Sequence, residues 1–319
     1  MPIIPLTPSD NLYHISQQTA LRLQSPFTLQ EKTQAKIQIE RFYQKTQQLQ
    51  LNYQLISQQA NHPFFEQLSQ QAQLYAQLTN PIQLQLDTNG TPTRVLNQPF
   101  IDQKWQTFCQ QQIREKDLPQ AQKDALIPGL RSHFENLLPY LYRTPLLALL
   151  LAPLYNRPWH RGTPLLLYSQ SWPSKLTHSF SRGYHLYACL QEQTPHTLIF
   201  STFVEPAYDA FYQQRLRAGF KQTYQQDLPP GLGHHLAWQS RYEFMADSGQ
   251  LVSLESSLRE RLGDSFFELD YQLGLLPPEE VGPVVSAEPP VEPARPSDSS
   301  IAPAIPSRPN RPNRWTPNW

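Results

Sequence analysis

Few residues in this chain combine the type and the spacing that chemistry needs. His234 and His235 are adjacent and follow Pro229-Pro230-Gly231-Leu232-Gly233. Two imidazoles can begin a metal site, but such a site needs further His, Cys or carboxylate ligands, and none lies close in the sequence. His133 and Glu135 would point to different faces of a helix and make a poor acid–base pair. The stretch "RPWHRGTP", Arg157 to Pro164, gathers Trp159, His160 and Arg161 and could offer cations to an anion; we read it as a solvated loop. Glu40 and Asp102 are isolated carboxylates without visible partners. No G-x-S-x-G elbow, Gly-rich phosphate loop or H-E-x-x-H run is present. An acid–base pair assembled by the fold from distant residues stays open. The expectation is a protein without catalytic residues, metal or cofactor.

Bulk composition narrows the partners. The 319 residues carry 26 basic and 26 acidic side chains, with a sequence pI near 7.1. A nucleic-acid surface needs an excess of Lys and Arg, so no nucleic acid is expected as main partner. Cys109 and Cys189 are the only cysteines, too few for a disulfide framework or a zinc set, and we read them as ordinary thiols. The start "MPIIPLTPSDNLYH" lacks the basic and apolar stretches of a secretory signal. The most apolar run, Thr144 to Tyr155, is about half the length of a membrane span. Thr144 can cap it and Pro145 suits a first helical turn, so it reads as a buried helix. A soluble protein made in the cytoplasm is expected, staying there or joining a secreted or envelope-associated particle.

These residues need elements to position them. Glutamine, 28 times in the first 150 residues, sits at alternate positions between apolar residues, as in "LQLNYQLI", the solvent-facing row of a strand. Ile37, Ile39 and Tyr43 alternate, although Arg41 interrupts their row, and Leu49, Leu51, Tyr53 and Leu55 alternate back. Phe64, Leu68, Tyr75 and Leu78 then share a helical stripe, and a hairpin over Pro81 to Asn97 follows. The second half repeats this order. Tyr184, Leu186, Ala188 and Leu190 alternate, Leu198, Phe200, Thr202 and Val204 return, and Tyr212, Leu216 and Phe220 mark a helix. Trp238, Tyr242 and Phe244 run to Asp247-Ser248-Gly249, Val252, Leu254, Leu258 and Leu262 run back, and Phe267, Leu269, Tyr271 and Leu273 follow Gly263-Asp264.

Asn89-Gly90 fits a two-residue turn with positive φ at both positions, and Asp247-Ser248-Gly249 a three-residue turn with a bulge. Neither offers the spaced oxygens of a Ca²⁺ loop. Between the halves, Ile101, Trp105, Phe108, Cys109 and Ile113 share one helical stripe, which puts Cys109 on a buried face. Leu130, Phe134, Leu137 and Leu141 share another, kinked at Pro139. The expected fold is α+β: curved antiparallel sheet from a pseudo-repeated hairpin–helix–hairpin unit, wrapped on helices. The boundaries are a first β-rich half over 1–97, a helical insert over 98–160 and a second β-rich half over 161–276, forming one globular body. A Pro-rich, disordered tail over 277–319 completes the chain.

That tail carries the strongest binding signal. It holds twelve prolines, and its end, "SRPNRPNRWTPNW", has Arg308, Arg311, Arg314, Trp315 and Trp319 and no acid. Pro309 and Pro312 favour an extended polyproline conformation that loses little entropy on docking. Arg and Trp dominate binding hot spots, so these five residues are the expected partner contacts. Tyr184, Trp238, Tyr242 and Phe244 are the expected lining if the curved sheet encloses an apolar cavity.

One segment resembles a known family. "NPIQLQLDTNGTPTRVLNQPFIDQKWQTF", Asn80 to Phe108, is similar to a segment of uncharacterised β-rich proteins from Bacteroidetes: an apolar strand, Asp-x-x-Gly, a strand ending in Asn, then a helix carrying Trp. Leu86, Asp87, Gly90, Val95, Asn97, Ile101 and Trp105 fill those places, and "YEFMADSGQLVSL" is similar to the family's second hairpin. Some members carry a LysM peptidoglycan-binding module ahead of this region, which this chain lacks, and the surroundings are often secretion or contractile injection systems. The resemblance implies protein partners in a larger assembly and brings no catalytic residues. The expected function is a non-enzymatic structural or adaptor protein of such an apparatus, tethered by its tail. The alternative is a binder of lipid-like hydrophobic ligands.

Overall fold

The computed structural model describes residues 1–23, 27–43, 46–63, 76–115, 137–177 and 179–277, with only the backbone for 112–115. Phe64, Leu68, Tyr75, Leu130, His133, Phe134, Glu135, the Ile113 side chain and the five tail residues Arg308, Arg311, Arg314, Trp315 and Trp319 lie outside the described residues. Strands β1 (Ser9–Arg22), β2 (Leu29–Tyr43), β3 (Gln47–Ala60), β4 (Ile82–Leu86) and β5 (Pro92–Val95) come first. Helices α1 (Gln98–Glu115), α2 (Leu137–Arg143) and α3 (Pro145–Leu150) follow. Then come β6 (Leu165–Pro173), β7 (Ser181–Gln193), β8 (Thr197–Pro206), helix α4 (Tyr212–Tyr224), β9 (His234–Met245), β10 (Leu251–Leu262) and β11 (Ser265–Leu275).

All eleven strands form one open antiparallel sheet in the order β5-β4-β3-β2-β1-β11-β10-β9-β8-β7-β6. The chain runs outward from the centre to one edge, crosses through α1–α3 to the other edge, and returns to the centre. Strand β1 therefore closes against β11, with Ile15 opposite Leu273 and Thr19 opposite Leu269. A single core cluster joins Leu84 and Val95 near one edge, Leu186 and Leu190 near the other, and Leu141, Leu146 and Leu149 of the helices between them. The sheet thus curls around α2 and α3, and its alternating polar rows face water.

The alternation marks the strands it should, because a half-buried strand shows its burial with period 2. β9 alternates buried and less buried positions along its whole length. In β1 and β6 the residue types do not alternate so cleanly. β1 turns Asn11, Thr19 and Gln17 into the same row as Tyr13, Ile15 and Leu21, so half the row is polar. β6 opens on Leu165, Leu166 and Leu167 and slips register between Leu166 and Tyr168.

Several local expectations are corrected. The loop between β4 and β5 spans 87–91, and only Gly90 has positive φ, at +81°. Asp87 builds this turn: its Oδ1 accepts from the backbone N–H of Asn89 and of Thr91, both at 2.8 Å. Asn97 ties α1 to β4 through its side chain, donating to Pro81 O at 2.6 Å and accepting from Gln83 N at 3.0 Å. The helix after Thr144 ends at Leu150, half the expected length, and the Thr144 hydroxyl bonds back to Tyr140 O at 3.3 Å instead of capping it. Cys109 is half-buried and Cys189 buried, both as free thiols. Gly249, at φ +66°, is needed where it stands: a Cβ there would run into the Pro5 carbonyl.

Candidate functional site

The concave face carries one buried carboxylate, Glu260 on β10, with no exposed surface. Its register explains its position. Leu254, Ser256, Leu258, Glu260 and Leu262 alternate inward, so Glu260 shares the row that builds the core. A charge there is tolerable only if fully paired and hydrogen-bonded. It is. His234 Nε2, on the neighbouring β9, lies 2.8 Å from Oε1. Trp172 Nε1, at the end of β6, donates to Oε2 at 3.4 Å. The Ser174 hydroxyl donates to Oε1. The Lys175 backbone N–H points between both oxygens, at 3.2 and 3.0 Å.

The surroundings add further bonds, although His234 Nδ1 and Thr177 Oγ1 are buried without a partner among the described residues. Ser174 Oγ accepts from the N–H groups of Leu176 and Thr177 at 3.0 and 3.1 Å, which folds the connection after β6 into a tight turn. Tyr212, at the start of α4, uses its hydroxyl to accept from His234 N at 2.8 Å and donate to His234 O at 3.0 Å. Tyr224, at the helix end, donates to Leu176 O at 2.7 Å. Leu21, Leu176, Phe180, Leu216, Phe220 and Leu262 form a second apolar cluster under α4. Phe180 packs edge-on to the His234 ring, 5.1 Å between centroids.

Burial alone would raise the Glu260 pKa; the hydrogen bond and charge of His234, then Ser174 and the Lys175 N–H, outweigh it and hold the carboxyl below its ordinary range. Five donor contacts fill the roughly four lone-pair directions of a carboxylate. No oxygen is left to take a proton from a substrate or to bind a metal. The arrangement acts as a clasp: it ties the β6–β7 connection, β9, β10 and α4 into one end of the sheet.

The sequence candidates distribute as follows. His234 has the carboxylate partner that sequence proximity did not offer, 26 residues away on the next strand. His235 is exposed on the opposite face, because neighbours on a strand point apart, so the two imidazoles share no site. Among the described residues no three His, Cys, Asp or Glu side chains gather as a metal site would require. Glu40 and Asp102 are each held by a glutamine, Gln50 at 3.4 Å and Gln98 at 2.8 Å. In the Arg157–Pro164 loop, Trp159 is buried against Phe200, 4.8 Å between centroids, while Arg161 Nε donates to Gln191 O at 2.9 Å.

Tyr184, Trp238, Tyr242 and Phe244 do come together on the concave face, and all four are core. Trp238 packs between Tyr184 and Trp172, with centroids 6.2 and 5.7 Å away, and its indole N–H donates to Ser256 Oγ at 3.0 Å. Tyr242 and Phe244 stack at 6.1 Å, and Tyr242 donates to Leu149 O of α3 at 3.2 Å. Phe244 also meets Tyr155 edge-on at 5.8 Å. Helix α3 and the loop after it therefore stand in front of these rings. Two depressions open on the surface, about 630 Å³ over β8–β11 and about 390 Å³ beside α1, and none of the four aromatics lines either.

Sequence reasoning missed Glu260 and Ser174. The available signal was parity: an acid in step with Leu258 and Leu262 must face inward. Comparisons with known proteins add little. No family model matches the chain, and no curated protein does. A solved structure titled for lipid–protein interactions in lipovitellin resembles it at a TM-score of 0.39 and 9% identity, over 84% of this chain and 25% of that one. The chain spans a quarter of that protein's length, and a likeness at this score carries no argument. Among the described residues no helix is long and apolar enough to cross a membrane.

Proposed function

We propose that the chain is a non-enzymatic scaffold: a rigid curved-sheet body, built from two pseudo-repeated β-rich halves, that is tethered to a protein partner through its Pro/Arg/Trp tail. The observation that carries this reading is the saturated Glu260 clasp. The most chemistry-like constellation among the described residues spends every carboxylate-oxygen contact on its own chain, which supports a structural role for it. Binding then falls to the tail, where Arg308, Arg311, Arg314, Trp315 and Trp319 supply hot-spot chemistry. In keeping with the resemblance of Asn80–Phe108, the partner assembly we propose is a bacterial secretion or contractile injection apparatus.

Co-purification tests this. The full-length chain with all five tail residues changed to Ala should lose a stoichiometric protein partner that the wild-type chain retains, with an unchanged melting temperature. Retention of every partner by the variant would remove the tether.

A further inference from the structure

The chain ends its sheet in two very different ways. At one end, the connections over 22–28, 60–63, 173–182, 205–233 and 261–264 carry seven Lys and Arg against four Asp and Glu. At the opposite end, the described residues of 1–9, 43–47, 86–92, 151–164, 193–197 and 245–251 are balanced, Arg157 and Arg161 against Asp87 and Asp247. The chain as a whole is neutral, so the first end concentrates positive charge.

The same end holds aromatic side chains out in water. Tyr208 is 94% exposed and Phe211 66%. Their loop is braced: Ala207 N donates to Gly183 O at 3.0 Å, Asp209 Oδ1 accepts from Phe211 N at 3.0 Å, and Asp209 O accepts from Tyr212 N at 3.2 Å. Arg215 closes on the Asp209 carboxylate from the next turn. The rings are thus presented by a fixed turn. Phe27, 75% exposed, and the less exposed Leu23 project from the β1–β2 connection at the same end.

Helix α4 continues this surface. Leu216, Gly219 and Phe220 are buried, and at 100° per residue Phe211, Ala218 and Gln222 run along the opposite stripe. Arg217 and Lys221 flank that stripe on one side and Arg215 on the other, and the helix contains no acid. Lys221 pairs with Asp227 at 3.1 Å in full solvent, a contact that water and salt weaken, and Arg217 has no partner among the described residues. The apolar face of α4 is spent on the core, so a contact at this end would rest on the exposed Tyr208 and Phe211 rings and on the cations of the outer helix face. Exposed rings alone would fit several partners. Joined to a one-sided cationic helix face, they fit an anionic lipid surface, which attracts nearby Lys and Arg.

From this juxtaposition we propose that the α4 end of the body docks on anionic membranes, with Tyr208 and Phe211 entering the headgroup layer and Arg217 and Lys221 facing its phosphates. This is independent of the tail tether. The test is co-sedimentation of the full-length chain with vesicles of phosphatidylcholine alone or mixed with phosphatidylglycerol. Binding should appear only with the anionic lipid and weaken in high salt. A Tyr208→Ser/Phe211→Ser variant should bind at least tenfold less at unchanged melting temperature. Arg217→Ser should bind several-fold less, and the five-residue tail variant should bind as wild type does. No binding to anionic vesicles, or binding that survives the double substitution or vanishes with the tail residues, overturns the proposal. So does loss of a protein complex, in place of vesicle binding, in the double variant.

Discussion

The sheet buries two ionic side chains on its concave face, and it treats them differently. Glu260, at the α4 end, has a histidine, a serine, a tryptophan and a backbone N–H on its two oxygens. Arg41 on β2, 9% exposed and near the opposite end, has no ion pair with a carboxylate among the described residues. Its guanidinium lies 4.6 Å from the centroid of the Tyr155 ring, and its Nη2 donates to the Tyr155 hydroxyl. The difference follows from the groups. A carboxylate concentrates its charge on two oxygens and needs converging donors once water is gone. A guanidinium is delocalised, weakly hydrated and content over an aromatic face. The first must be built around by several elements; the second needs one ring.

Breaking each centre should therefore have unequal consequences. Glu260→Ala leaves His234, the Ser174 hydroxyl and the Lys175 N–H unpaired inside the protein. A loss of about 3–5 kcal/mol is expected from urea unfolding. A pH series sharpens this. Because the folded Glu260 carboxyl lies below its ordinary value, its stabilisation is fully present above the unfolded value of about 4.3 and is lost as pH falls through the folded one. The stability gap between wild type and Glu260→Gln should narrow as the pH falls below that value; a gap that widens in acid would contradict the assignment.

Smaller effects come from the middle of the face and the other end. Ser256 links the Trp238 indole to Ser240, at 3.0 Å each, so Ser256→Ala should cost about 1–2 kcal/mol by the same unfolding measurement. Arg41→Met removes a stacked charge and leaves no opposite charge behind. It should change stability by about 1 kcal/mol or less. If Arg41→Met cost as much as Glu260→Ala, the contrast between the two centres would collapse.

Both centres were partly written in the sequence. Arg41 interrupts the row of Ile37 and Ile39, and that interruption is the buried guanidinium itself. Glu260 keeps step with Leu258 and Leu262, yet an acid in an alternating run invites the solvent-facing reading. The hairpins β2–β3, β4–β5 and β7–β8, the strands β9–β11 and helix α1 were legible because period-2 and helical rows directly express one-sided burial. β1 was hidden because Asn11, Gln17 and Thr19 dilute its inward row, and the tight Asp87 turn because side-chain anchoring overrides the usual Asn-Gly preference. The pairing of β1 with β11, and of His234 with Glu260, depends on strand order, which local pattern does not encode.

The proposed function joins a body without chemistry of its own to a partner through the tail. Native mass spectrometry of the full-length chain, purified gently from its own host beside the five-residue tail variant, tests it most directly. The account predicts a stoichiometric protein mass on the wild-type chain that the variant lacks. A bare monomer carrying a lipid-sized mass would contradict it and turn attention to the space that α3 fills.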